Sequence, residues 1–281
     1  MGINEPFANK PGLYQDAPKM GLCREVPKHI AIVMDGNGRW SKALAKPRHF
    51  GHKTGLETLK KIIEATAKRG VSYLTVFAFG MENWLRPSVE VNYLMNLFLT
   101  ALRRDIGRLH ENGIRVQFIG DRLQVHSDLI HSMQEAESLT QDNTGMTLIV
   151  AFNYSGRWDI GQACQNLSEK VAAKQLNAAD INEELISQHL STAAWPDPDL
   201  FIRTSGEQRL SNFLLWQLSY AELYFTNKHW PEFDEAELDK AIAFYVSRER
   251  RFGKISEQLI TPSCGRQVTP SGAEKENTWD A

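Results

Sequence analysis

The sequence predicts an α/β fold: a single domain with a central, mostly parallel six-stranded sheet covered by helices. Three observations carry this expectation. Short apolar runs rich in Ile, Val and Phe alternate with longer stretches whose apolar residues recur every three or four positions, the signature of strands joined by crossover helices. Four of the runs end in polar segments bearing Gly or Arg: DGNGRW (35–40), GMENWLRP (80–87), NYSGRWD (153–159) and RTSGEQRLSNF (203–213). In a parallel sheet those C-terminal ends share one edge, where open α/β sheets bind ligands. Finally, 281 residues, 42% of them hydrophobic, suffice for one large core.

Residues 1–25 carry Pro6, Pro11 and Pro18 among polar residues without a period and read as a poorly ordered arm, leaving 26–253 as the expected domain. Residues 29–34 are too short for a helix and β-branched enough for a strand; Asp35, Gly36, Asn37 and Gly38 stop it in a glycine-rich loop. Leu56, Leu59, Ile62 and Ile63 recur at helical spacing within 52–69, and Gly70 closes that helix. A second strand follows over 72–79. Pro87 then opens a long helix marked by Val91, Leu94, Phe98 and Leu102 and ending at 112–113. Strands are expected over 114–119, 146–152, 200–203 and 222–225, and helices over 127–139 and 159–174. Asp180 with Glu183, and Asp234 with Glu237, look like capping pairs opening two further helices. The tail, 254–281, is rich in Ser, Thr, Pro and charge and reads as disordered.

Composition excludes several classes. A net charge of -2 gives no sign of a nucleic-acid partner. Cys23, Cys164 and Cys264 are odd in number and far apart, so neither a disulfide framework nor a zinc pattern is expected, and a reducing compartment is. No apolar run approaches the ~20 residues that cross a bilayer, and the N-terminus lacks a signal-peptide pattern. The expectation is a cytoplasmic protein, with loose contact to the inner face of a membrane left open. No GxxxxGK(S/T) phosphate loop and no GxGxxG are present.

The chemistry concentrates at the shared edge. Arg39, Arg48, Arg86, Arg203 and Arg209, with His52, make an expected cationic site large enough for two diphosphates. Glycines in the loop 36–38 let backbone N–H groups approach an anion. Asp35 and Glu222 are two carboxylates suited to share a divalent ion, and hard oxygen ligands beside phosphates favour Mg2+. A lone arginine is more often a surface residue than a ligand; convergence of several on one edge is what argues for a site.

With these motifs in view, the chain resembles the cis-prenyltransferases over roughly 29–253. The resemblance rests on MDGNGRW (34–40), RHFGHKTG (48–55), FAFGMENWLRP (77–87), NYSGRWDI (153–160), RTSGEQRLSNFLLWQLSYAELYF (203–225) and WPEFD (230–234). It implies a homodimer that adds isopentenyl diphosphate successively to farnesyl diphosphate with Mg2+, each new double bond being cis. The C55 product would be delivered to the membrane as the carrier of cell-wall sugars. Asp35 would be the Mg2+ and diphosphate residue, completed by Glu222. Gly36, Asn37, Gly38, Arg39 and Trp40, with Arg48 and His52, would hold the allylic diphosphate. Gly80, Met81 and Glu82, with Trp84 and Arg86, would line the same site, and Asn83 would stand at the proton acceptor's position. A carboxamide is hardly basic, so passing the proton to the departing pyrophosphate is chemically easier. Arg203, Arg209, Leu210 and Ser211 would bind isopentenyl diphosphate. The chain departs from the family pattern at Gly80, where Ser is common, and at Gln208, where His is usual. Ala78, Leu94, Phe98, Met146 and Leu148 are candidates for an apolar tunnel, with Met146 at its far end. Two other classes compete: a non-catalytic partner subunit of a prenyl synthase, and a Mg2+-dependent phosphohydrolase.

Overall fold

Five consecutive buried residues, His29–Val33, form β1 in the middle of the sheet. The structure, a computed structural model, describes residues 26–123 and 125–248. The expected arm (1–25) and tail (254–281) lie outside them. In chain order follow α1 (Asn37–Ala43), α2 (Arg48–Lys68), β2 (Tyr73–Gly80), α3 (Ser88–Glu111), β3 (Arg115–Ile119), α4 (Ser127–Thr140), β4 (Thr147–Tyr154), α5 (Gly156–Ala172), α6 (Glu183–Ser187), β5 (Leu200–Arg203), β6 (Glu222–Phe225) and α7 (Glu235–Ser247). The six strands form one sheet in the order β3-β4-β2-β1-β5-β6, and every pairing is parallel.

Both faces of the sheet are covered, which is why β1 shows no polar alternation. On one face Ile30, Ile32, Leu74, Val76, Leu148 and Ile202 pack with Ile62 and Ile63 of α2, Leu238 and Ala241 of α7, and Trp230. On the other, Ala31, Val33, Ile149, Ala151 and Phe201 pack with Phe213, Leu214 and Leu218. His29 is buried in this core at 2% exposure. Its Nδ1 lies 2.6 Å from the Pro196 carbonyl and its Nε2 2.7 Å from Thr75 Oγ1, both satisfied by a neutral ring that donates from Nδ1 and accepts at Nε2.

The chain leaves β1 toward β2 on one side and leaves β5 toward β6 on the other, while β1 and β5 are neighbours. The loops after β1 and β5 therefore diverge and open a crevice at the carboxyl ends of the strands. That crevice positions the site.

Three local features differ from the sequence reading. The expected loop 35–40 becomes a helix start: Gly36 adopts φ 98 and α1 begins at Asn37. Two glycines give this stretch poor intrinsic helix propensity, and packing against α2 overrides it. A Cβ on Gly51 would lie 2.0 Å from the Asn37 carbonyl oxygen, and one on Gly55 2.1 Å from Asn37 Oδ1, so the glycines of RHFGHKTG let the two helices touch. The second is α6, capped by Asn182, whose side chain accepts from Leu185 N, while Asp180 ends a separate 3-10 turn. The third is a register shift of β2 against β4 between Phe77 and Gly80, which bends the strand end beside the crevice.

Candidate active site

Asp35 sits at the crevice, two residues past the end of β1, and the neighbouring loops hold its backbone on both sides. Its N–H donates to Thr204 Oγ1 at 2.9 Å, and its carbonyl accepts from Thr204 Oγ1 at 2.7 Å and Trp230 N at 3.0 Å. Its carboxylate takes Arg203 Nη2 at 2.9 Å and Arg39 Nη2 at 3.1 Å. Burial opposes ionisation of Asp35, but the hydrogen bond from Arg203 and the charge of Arg39 outweigh it and hold the carboxyl below its ordinary value. Asp35 is an anion at neutral pH.

Four of the five arginines gather around two further carboxylates. Glu207 pairs with Arg39 at 2.5 Å and also with Arg209. Glu90, which sequence reading did not single out, takes Arg48 at 3.3 Å and Arg86 at 3.1 Å. Its place as the acidic residue in the first turn of α3, just after Arg86 and Pro87, was the available signal. Each carboxylate stands between two guanidiniums, the arrangement a diphosphate oxygen pair would take. Arg203 is different: its side chain is only 4% exposed. Besides Asp35, it donates to the Arg209 carbonyl and to Ser211 Oγ, each at 2.6 Å, and its buried Nε has no partner within the protein. The loop it supports carries non-glycine residues at positive φ, namely Ser205, Ser211, Asn212 and Leu214, and such strain gathers where surrounding contacts over-determine the backbone.

His52 does not join the cationic set. Burial lowers its pKa to about 4, assisted by Arg86 and Arg48, so the ring is neutral. Its Nε2 lies 3.7 Å from Glu90, beyond a hydrogen bond. Burial likewise brings His29 to about 4. Both values lie below the ordinary 6.5. The folded protein thus sheds protons that the unfolded chain keeps. The resulting stability is fully present above pH 6.5 and is lost as pH falls toward 4. At ~1.36 kcal/mol per unit each histidine accounts for roughly 3 kcal/mol. The thermal midpoint should therefore drop steeply between pH 6.5 and 4, and less steeply in His52→Gln. A flat profile over that interval would show that the buried rings are not neutral.

A cavity of about 810 Å3 opens at the crevice and runs down between α2, α3 and the sheet. Its mouth is lined by Asp35, Gly36, Asn37, Gly38, Arg39, Arg48, His52, Gly80, Glu82, Asn83, Arg86, Arg203, Arg209 and Ser211. Deeper walls come from Ala78, Leu94, Phe98 and Leu148, as expected, and from Leu56, Leu59, Ile106, Leu109 and Val116. Lys60 and Asp105, paired at 3.0 Å, mark the seam between α2 and α3.

Five expected site residues lie elsewhere. Trp40 does not line the cavity; it stacks on Phe50 with ring centroids 5.7 Å apart. Trp84 donates to Asn153 Oδ1 at 2.8 Å and packs on Phe79, so it supports the 3-10 turn Met81–Leu85 from behind. Met81 is half-buried off the lining, and Leu210 packs with the core beneath the other sheet face. Glu222 opens β6 opposite Leu200, which pairs with Ile30, five residues before Asp35. At ~3.3 Å per residue that is about 16 Å along the strands, so within one chain the two carboxylates do not share an ion. Met146, the expected far end of the tunnel, is buried core beyond the lining.

Asn83 Oδ1 accepts the Gly80 N–H at 2.9 Å, so what Asn83 offers the cavity is its NH2, a donor. A Cβ on Gly80 would lie 2.8 Å from Phe77 Cζ; that ring takes the space of the serine common in the family. Gln208 is exposed and off the lining. The segment 153–156 serves the site indirectly: Asn212 Nδ2 lies 2.6 Å from both Ser155 Oγ and Glu82 Oε1. Among the described residues no three His, Cys, Asp or Glu side chains group as a metal site. Mg2+ is commonly held by one or two carboxylates with substrate phosphates completing its shell, and Asp35 at the mouth fits that mode; the partnerless Arg203 Nε is a donor suited to an anion, not to the ion.

Comparison with known proteins agrees with this geometry. The family model for undecaprenyl diphosphate synthase matches residues 33–253. The chain is 53% identical over 234 residues to the ditrans,polycis-undecaprenyl-diphosphate synthase ((2E,6E)-farnesyl-diphosphate specific) of Aliivibrio fischeri, covering 83% of this chain and 91% of that one. It is 52% identical to the isoprenyl transferase of Neisseria gonorrhoeae, over 83% and 92% of the two chains. The crystal structure of lavandulyl diphosphate synthase from Lavandula x intermedia, in complex with dimethylallyl diphosphate, superposes with a TM-score of 0.80 at 40% identity, over 82% of this chain and 99% of that one. That of a probable undecaprenyl diphosphate synthase from Campylobacter jejuni gives 0.69 at 32%, over 82% and 100%. With its motifs, its all-parallel sheet and its arginine-rimmed cavity, this chain belongs to the undecaprenyl diphosphate synthase family of prenyltransferases.

Proposed function

We propose that this protein elongates farnesyl diphosphate by successive cis additions of isopentenyl diphosphate, to undecaprenyl diphosphate. The observation that carries the reading is one continuous space: arginines and Asp35 at the mouth, an apolar cavity behind them. The allylic diphosphate would displace Glu90 from Arg48 and Arg86 and meet Arg39, with Asn83 donating to it. Isopentenyl diphosphate would take Arg209 from Glu207, beside Arg203 and Ser211. Mg2+, held by Asp35 and the diphosphates, would neutralise charge on the leaving group. As the allylic C–O bond breaks, the isopentenyl double bond forms the new C–C bond. The proton then lost passes to the departing pyrophosphate. The arginines fix the two carbons in reach of each other, and the walls exclude water from the allylic cation.

The reading includes a homodimer and a product handed to the inner face of a membrane. Support for the second is an apolar rim: Leu85 is 90% and Val89 82% exposed on either side of Arg86. No helix among the described residues is long and apolar enough to cross a membrane.

The test is incubation of the purified protein with labelled isopentenyl diphosphate and farnesyl diphosphate, followed by sizing of the lipid. A ladder ending near C55 is expected, stopped by EDTA and restored by Mg2+. Phosphate release without elongation would replace this reading with a phosphohydrolase; no turnover at all would favour a non-catalytic subunit.

Product length gives a finer check. Ala78, near the C-terminal end of β2, lines the apolar wall just behind the mouth. Ala78→Leu should shorten the product, because overpacking costs about 1–3 kcal/mol while each buried CH2 contributes ~0.8 kcal/mol. Met146 lies past Leu148, so Met146→Ala should leave length equal or slightly longer and cost about 2–5 kcal/mol of stability. Chromatography of the dephosphorylated products reads both. Unchanged length in an active Ala78→Leu enzyme would remove Ala78 from the growing chain's path.

A further inference from the structure

Behind Asp35, away from the cavity, Ser205 Oγ lies 2.7 Å from His229 Nδ1. That is the spacing of a nucleophile and its base, and Ser205 sits at φ 77 on a tight turn after β5. A nucleophilic role fails on access. A Cβ built on Gly36 would lie 2.6 Å from both Ser205 Oγ and His229 Nδ1, so the Gly36 backbone covers the pair. Neither residue lines the cavity.

The same contact points to another role. Three loops meet here. Ser205 N donates to the Lys228 carbonyl at 2.7 Å, joining the loop after β5 to the loop after β6. Trp230 N donates to the Asp35 carbonyl at 3.0 Å, joining the loop after β6 to the loop after β1. Arg39 Nη1 reaches the Ser205 carbonyl at 3.3 Å. The Ser205–His229 bond closes this ring of contacts directly against Gly36, the residue that follows Asp35 and whose N–H donates to Asp35 Oδ1 at 2.7 Å. Gly36 must keep φ 98 and cannot move toward the pair without collision. Its N–H is therefore aimed by the wall that Ser205 and His229 make.

We propose that Ser205 and His229 act together as a positioning pair: their hydrogen bond fixes the Asp35–Gly36 peptide and so sets the direction of the Asp35 carboxylate. The proposal rests on Asp35 acting in the transfer. Geometry of this kind matters most in the transition state, where a misplacement of about 1 Å can cost up to 10²-fold in rate.

The test compares Ser205→Ala, His229→Leu, His229→Asn and the double variant Ser205→Ala/His229→Leu. Ser205→Ala and His229→Leu should each lower kcat by about 10- to 100-fold. KM for both substrates and equilibrium binding of farnesyl diphosphate should stay within about twofold, because no arginine is touched. The double variant should be no worse than either single one, as expected for residues acting as a unit. His229→Asn, whose amide can take the place of Nδ1, should recover most of the lost kcat. Ser205→Gly removes the hydroxyl while relieving the positive φ, and it reads the same effect should His229→Leu fail to fold. Unchanged kcat in folded Ser205→Ala and His229→Leu overturns the proposal. So does a loss that tracks the thermal midpoint, adds in the double variant and is not recovered by His229→Asn. Failure of the Asp35 reading itself shows separately, as retained turnover in Asp35→Asn.

Discussion

Replacing Asp35 should abolish turnover, by about 10³-fold or more, because under the proposed function it removes a group that would act as a unit with the arginines and the ion. Asp35→Ala and Asp35→Asn should not behave alike in other respects. Asp35 neutralises Arg203, whose side chain is 4% exposed. The alanine variant leaves that guanidinium without a counter-charge, and removing one partner of a buried pair costs up to ~3–5 kcal/mol. The carboxylate itself is 29% exposed, so water entering the crevice reduces that figure. Asp35→Asn keeps a hydrogen-bond acceptor for Arg203 and should hold the thermal midpoint closer to that of the parent. Farnesyl diphosphate should still bind to both variants, since Arg48 and Arg86 are untouched. Single-turnover assays beside thermal melts check this. Retained turnover in a folded asparagine variant would sink the assignment of Asp35 to the ion and the diphosphate.

Arg203 and Arg209 should separate, although the sequence groups them in one isopentenyl diphosphate site. Arg209 is 59% exposed and pairs with Glu207. Arg209→Ala should raise KM for isopentenyl diphosphate by about 10- to 100-fold with kcat little changed, as the loss of one charge-assisted hydrogen bond predicts. Arg203→Ala removes the donor to Asp35, to Ser211 and to the Arg209 carbonyl together. It should lower kcat by about 10²-fold or more, because interactions made at the reacting centre are lost with the positioning. It should also lower the thermal midpoint, since the loop after β5 loses its support. Arg203→Lys should rescue little: one ammonium cannot span acceptors that a planar fork reaches. A rise in KM alone in Arg203→Ala would return it to a simple substrate ligand.

The histidine result and the arginine result share a cause. Charge counted along the chain gives six cationic groups at the mouth. Folding neutralises one of them, His52, by burial, and sets Glu90 and Glu207 between the remaining pairs. Five guanidiniums then face Asp35, Glu90 and Glu207, so the free site keeps an excess of positive charge while four of its arginines are already paired with Glu90 and Glu207, and an entering diphosphate would exchange with those two carboxylates.

What the sequence determined by itself was the alternation of strands and helices, the parallel sheet, and the edge where DGNGRW and RTSGEQR meet. Those depend on local apolar period and on the rule that parallel strands end together, so β5 and β6 appear with the bounds their apolar runs suggest. The expectation that Asp35 and Glu222 share an ion was wrong within one chain on this same rule, since Glu222 opens its strand and so lies at the edge opposite Asp35. Tertiary structure alone decided α1, since its glycine-rich start becomes helical only when α2 packs on it. It alone decided which carboxylate meets which guanidinium: Asp35 and Arg203, or Arg39 and Glu207, stand some 168 residues apart, and no local pattern encodes that reach. It also decided that Met146 lies past the cavity and that His52 is neutral, because both depend on how much volume and water neighbouring elements leave around a side chain.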